Sequence, residues 1–167
     1  MQQPEKTIDT APSKGLLLEG QARTLIFAFR WWLTGEHDPK ARGRARTELK
    51  RLVSPTQAEV ISALFDVIIR AVARYPARTV HYHPPWCHTV TPDEALLLTL
   101  TSACQYGEMA WGKTLTGLII ATEGEAMLLD AANELAQVLL AAGMVLPLCA
   151  PWTLHNSLQT LGGVTVH

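Results

Sequence analysis

Three times in this chain a short side chain of the helix-capping kind (Asp, Ser or Thr) stands directly before a proline: Asp38-Pro39, Ser54-Pro55 and Thr91-Pro92. The oxygen of such a side chain caps an N–H that the first helical turn leaves without a partner, and a proline at the first helical position has no N–H to lose. At the third of these places Glu94 follows Thr91 by three positions, the spacing of a capping box. Three helix starts are thereby set by local chemistry alone, and a chain punctuated in this way builds from rods.

Apolar periodicity fills the rods in. Leu18, Ala22, Leu25, Phe29 and Trp32 recur at three- and four-residue spacing and predict a helix over 16–33, with Gly35 as its stop. Over 55–75 the polar residues Glu59, Ser62, Asp66, Arg70 and Arg74 fall on one narrow stripe. That pattern predicts a helix buried on most of its circumference and central in the fold, with Asp66 and Arg70 paired on its wet side and Pro76 ending it. Residues 92–105 predict a second heavily buried helix, whose Thr99, Thr101 and Ser102 hydroxyls bond back to the preceding turn. Gly107 and Gly124 set off further helices over 108–122 and 125–142, and Gly143 caps the last.

No alternating apolar and polar run is long enough for a sheet; only 79–83 has strand character. The expected fold is therefore all-α: a single-domain bundle of about six helices with short connections and a central loop containing Pro, His and Cys. The helical domain spans 16–146. A disordered tail is expected at 1–15 and a mostly irregular one at 147–167, with at most a short helix near 153–161.

Charge narrows the range of functions. Charged residues make up 17% of the 167 positions, below the usual share of about 25%, which points to a surface partly covered by self-association or by a partner. A net charge of −1 gives the whole molecule no attraction for nucleic acid or anionic lipid. Cys87, Cys104 and Cys149 are too few and too widely spaced for a disulfide framework, which favours a reducing cytoplasm. The first residues lack the apolar core of a signal peptide, and no uninterrupted apolar run is long enough for a membrane span.

One stretch concentrates reactive side chains: His81-Tyr82-His83-Pro84-Pro85-Trp86-Cys87-His88. Imidazole and thiolate are the usual zinc ligands, so His81, His83, Cys87 and His88 form a candidate site for zinc or another transition metal. Their spacing matches no standard zinc module, and the other histidines are scattered. Without a metal, the same stretch reads as an ordered loop whose Trp86 and Tyr82 plug the end of the bundle. Cys87 also precedes a helix N-terminus, whose positive end favours the thiolate; His81 or His83 would then serve as base, oriented by Asp93 or by Glu94, the latter also engaged in the capping box. Cys104 reads as a small apolar filler.

A second candidate surface lies earlier in the chain. Phe27 and Trp31 fall partly off the apolar stripe of the first helix, as docking aromatics do. Six of the fourteen basic residues lie between Lys40 and Arg51, with Arg42, Arg46 and Lys50 on one helical face. Nucleic acid is not the expected ligand, because the chain as a whole is not basic; an acidic protein would use the same patch. There is no Gly-rich phosphate loop, no GxSxG, no CxxCH and no Glu-x-x-His pair.

The block Pro85-x-Cys87, Asp93-Glu94, Leu96-Leu97-Leu98 and Gln105 resembles a pattern in small bacterial helical proteins; the resemblance covers about a third of the chain and implies a cytoplasmic helical fold without a particular activity. Together these readings point to a non-catalytic protein acting through protein–protein contact or regulation. A protein partner or a second copy would meet Phe27, Trp31, Arg42, Arg46 and Lys50, and the alternative is a metal-binding module at 81–88.

Overall fold

A computed structural model describes residues 20–147. The tails expected at the two ends, except for Pro147, and the first turn expected at 16–19 lie outside the described residues. Among the described residues six α-helices follow one another: α1 (Gly20–Thr34), α2 (Pro39–Leu49), α3 (Pro55–Arg74), α4 (Pro92–Gln105), α5 (Met109–Ile119) and α6 (Glu125–Ala141), the last entered through a 3₁₀ turn at Thr122–Gly124. Among the described residues no strand forms; Pro76 and Ile120 make one isolated antiparallel bridge. The fold is the all-α bundle expected.

The three proline-marked starts are capped as their chemistry requires. The Asp38 carboxylate accepts from the Lys40 amide at 2.9 Å. Thr91 and Glu94 form the reciprocal capping box, and Ser54 forms a second one with Gln57. At the far end of α6, Gly143 takes the left-handed conformation with φ of 74°. The Met144 and Gly143 amides then donate to the Leu139 and Leu140 carbonyls at 2.9 Å each, a Schellman closure.

The helix at the centre is α4, not α3. Every residue from Asp93 to Cys104 is buried, with α5 and α6 packed against it. Helix α3 packs chiefly on α6 and leaves Val60 and Ala63 exposed and Val67, Ile69 and Val72 half-buried. Its apolar circumference is wider than the surface its neighbours cover. Asp66 and Arg70 do not pair through their charges either. The Arg70 Nε donates to the Asp66 backbone carbonyl at 3.2 Å, while the Asp66 carboxylate accepts from the Trp32 indole at 2.9 Å.

Helices α1 and α2 form a hairpin laid against this bundle. Leu25, Ile26 and Phe29 of α1 meet apolar side chains of α3, α4 and α6 around a narrow apolar cavity of about 30 Å³. Phe29 meets Phe65 edge-on at 5.1 Å. Among the described residues no helix is long and apolar enough to cross a membrane.

Candidate functional site

Between the end of α3 and the start of α4 the chain runs from 75 to 91 without regular structure. A connection of that length is uncommon in a compact domain and must be held by something other than its own backbone. Two acidic residues at the start of α4 and one arginine from α1 hold it.

Asp93 takes the near end. One carboxylate oxygen accepts from Arg78 Nη2 at 2.5 Å and the other from the His81 amide at 2.7 Å. The Thr91 hydroxyl donates to the His81 carbonyl at 2.7 Å. Burial alone would raise the Asp93 carboxyl, but the bonds from Arg78 and the His81 amide, with the charge of Arg78, outweigh it and hold the group below the usual carboxylate range.

Glu94 and Arg30 take the far end. Arg30 Nε and Nη2 each donate to a Glu94 oxygen at 2.7 Å, with both side chains buried (1% and 0% exposed). The same guanidinium donates to the Cys87 carbonyl at 2.6 Å and to the Thr89 carbonyl at 2.7 Å. Glu94 also accepts from the His83 amide at 3.2 Å and the Thr91 amide at 2.8 Å. A buried ion pair needs this kind of saturation, since an unpaired charge at such a depth costs several kcal/mol. Arg30 sits on the buried face of α1, one turn after Ile26.

With its backbone fixed at 81, 83, 87, 89 and 91, the loop sends its side chains in different directions. Tyr82 turns inward and meets Phe29 at 5.7 Å. Burial, and then the charges of Asp93 and Glu94, push its phenol far up. His81 is exposed, its Nδ1 3.5 Å from Asp93, and His83 is half-buried. His88 accepts from Arg23 Nη2 through Nδ1 at 3.0 Å, and its ring stands 6.4 Å from that of Phe27. Cys87 Sγ lies 3.3 Å from the Thr89 hydroxyl.

The metal expectation finds no support among the described residues. His81, His83, Cys87 and His88 do not converge, and among the described residues no group of three or more His, Cys, Asp or Glu side chains could hold a metal ion. The reason is mechanical: the backbone is bonded to Asp93 at 81, to Glu94 at 83 and to Arg30 at 87, and between the last two it turns, the Cys87 amide donating to the Pro84 carbonyl at 3.0 Å. The Cys87 thiol is lowered by the Thr89 hydroxyl, then by the Thr89 amide and the charge of Arg30. Its hydrogen-bond partner is that hydroxyl, not an imidazole.

The second candidate surface divides. Phe27 is half-buried between the guanidinium groups of Arg23 and Arg30, at 5.1 and 5.7 Å from its ring, and so belongs to the loop. Trp31 lies half-buried 4.7 Å beneath Arg44. Arg42 and Arg46 stack on Trp32 at 4.7 and 5.2 Å and reach Asp66 at 3.5 Å and Glu59 at 3.3 Å. They tie α2 to its neighbours rather than forming an open basic patch. Lys50, just beyond α2, is exposed.

Arg30 escaped the sequence reading, and Trp86 lies opposite to its expected position. Arg30 gave only a weak signal, a lone charge inside the apolar run 25–33. Trp86, expected as a plug, is 73% exposed at the tip of the loop, beside buried Pro85. In comparisons with known proteins, no family model matches the chain, and no curated protein or solved structure is similar enough to match.

Proposed function

We propose that this protein is a non-catalytic binding module, and that it docks a protein partner through the 83–88 loop with Trp86 as anchor. One observation carries the reading: a large aromatic side chain 73% exposed on a backbone bonded on either side of it to a buried ion pair. Exposing a tryptophan to water is unfavourable, and fixing the segment that bears it adds to the cost of folding. That arrangement is useful when a partner covers the ring, because the ordering cost of binding has already been met by the fold. Tryptophan is also among the residues most enriched at the energetic centres of interfaces.

Phe27 of α1 lies against His88, two positions after Trp86, so one of the aromatics singled out in α1 meets the loop. A catalytic reading has less support, because the loop thiol bonds to a hydroxyl rather than to a base. A reducing cytoplasmic setting is part of this proposal and agrees with Cys87 and Cys104 as free thiols.

The reading is tested by placing a photo-crosslinking amino acid at position 86, and separately at exposed position 50, in the full chain inside cells. A discrete adduct from position 86 and none from position 50 is the expected result. Equal labelling from both positions, or none from position 86, would reject the docking role of the loop.

A further inference from the structure

We infer that the partner brings a carboxylate to Arg23, which His88 and Phe27 hold in place, while an apolar side chain meets Trp86, so that the docked segment is acidic as well as apolar. The inference rests on the docking reading above and adds the chemistry of the partner.

The first support is the charge inventory of the face. Helix α1 contains no acidic residue, and neither does the stretch 75–92. The two carboxylates that follow, Asp93 and Glu94, are buried and matched by Arg78 and Arg30. Among the described residues no carboxylate pairs with Arg23, which is exposed.

The second support is the direction of the hydrogen bonds. Arg23 can only donate, so His88 Nδ1 accepts its bond and the ring proton of neutral His88 sits on Nε2. Arg23 is thereby held at two points, by His88 at 3.0 Å and over the Phe27 ring at 5.1 Å. Its remaining N–H groups are donors without an acceptor among the described residues. A group that accepts two hydrogen bonds and carries negative charge complements them, and a carboxylate does both.

Nucleic-acid phosphate offers similar oxygens but fits less well. Phosphate backbones are held by several cations acting together. Here the arginines that could extend the patch, Arg42 and Arg46, are engaged with Trp32, Asp66 and Glu59. The net charge of −1 supplies no long-range attraction.

The test is selection of short random peptides displayed against the full-length protein, with counter-selection on Trp86→Ala. The recovered peptides should be enriched in Asp and Glu over the starting library. Their affinity should fall about five-fold in Arg23→Glu and change little in Arg44→Glu. Thermal melts of each variant establish that it is folded. Peptides that need Trp86 but show no acidic excess, or that are indifferent to Arg23→Glu, would overturn the acidic partner and leave the docking loop standing. No peptide dependent on Trp86 would overturn both. Poly-dT bound more tightly than the best peptide, and lost in Trp86→Ala, would give the face to single-stranded nucleic acid instead.

Discussion

Arg30 and Glu94, 64 positions apart in sequence, meet in two parallel hydrogen bonds of 2.7 Å in the interior. Because Arg30 also holds the Cys87 and Thr89 carbonyls, the pair makes α1, the loop and the N-terminus of α4 one mechanical unit. Replacing Glu94 by Gln keeps the shape of the side chain but leaves a buried guanidinium without its counter-charge. We expect a loss of roughly 3–5 kcal/mol in urea unfolding. Arg30→Met with Glu94→Leu should cost less than the two single changes summed, since no bare charge remains. A Glu94→Gln protein within about 1 kcal/mol of the parent would show that the pair is not what anchors the loop.

Asp93 anchors the other end of the loop, and its contribution depends on pH in a defined direction. Its carboxyl titrates lower in the folded protein than in the unfolded chain, where about 3.9 is usual. The stabilisation is therefore complete above about pH 4 and is lost as pH falls through the lower, folded value. The melting temperature of Asp93→Asn should lie below that of the parent at neutral pH, and the gap should close in strong acid. A gap that stays constant between neutral and strongly acidic pH would contradict this account.

What could be read from the sequence was mostly local. Asp38, Ser54 and Thr91 mark helix starts because a cap acts within its own turn, and Gly143 marks an end for the same reason. Glu94 was legible as a capping residue but not as the partner of Arg30. Its bonds to the Thr91 amide are a matter of spacing, while its bonds to α1 depend on how two distant rods meet. Nearness in sequence also misleads in the loop. His81, His83, Cys87 and His88 are close along the chain, yet the pinned backbone faces them apart. Two members of the basic run have partners that the sequence does not show, for a related reason: Arg42 and Arg46 find Trp32 only once α1 and α2 have folded together. The rank of α3 and α4 was hidden because a valine reads the same whether covered, or left 42% exposed like Val60.

The two described cysteines should report on different events. The Cys87 thiol is half-buried and lowered by the Thr89 hydroxyl and amide. Burial in α4 pushes the Cys104 thiol up to about 11. In a Cys149→Ser background, iodoacetamide near neutral pH should modify Cys87 quickly and Cys104 only as fast as the protein opens, since the thiolate is the reactive form. Thr89→Val should slow the first reaction and leave the second unchanged. Equal rates at both cysteines, read by mass spectrometry of the peptides, would contradict the assignment.

Gly124 ends the 3₁₀ turn that leads into α6, with an ordinary φ of −99°. Its need for glycine is therefore steric rather than conformational. A Cβ placed there would come within 2.7 Å of the Cβ of Tyr75, whose carbonyl accepts the Ala121 amide at 2.9 Å. Neither side yields easily, because the contact is with the root of the tyrosine rather than its flexible end. Gly124→Ala should destabilise by roughly 1–3 kcal/mol, the usual cost of overpacking. Removing the obstructing side chain with Tyr75→Gly should recover part of that loss, so the double variant should be more stable than the two single effects added together. Thermal melts of the four proteins read this coupling directly. Strict additivity would mean that the two residues do not collide, and that the close approach of α3 to the start of α6 is not what requires a glycine.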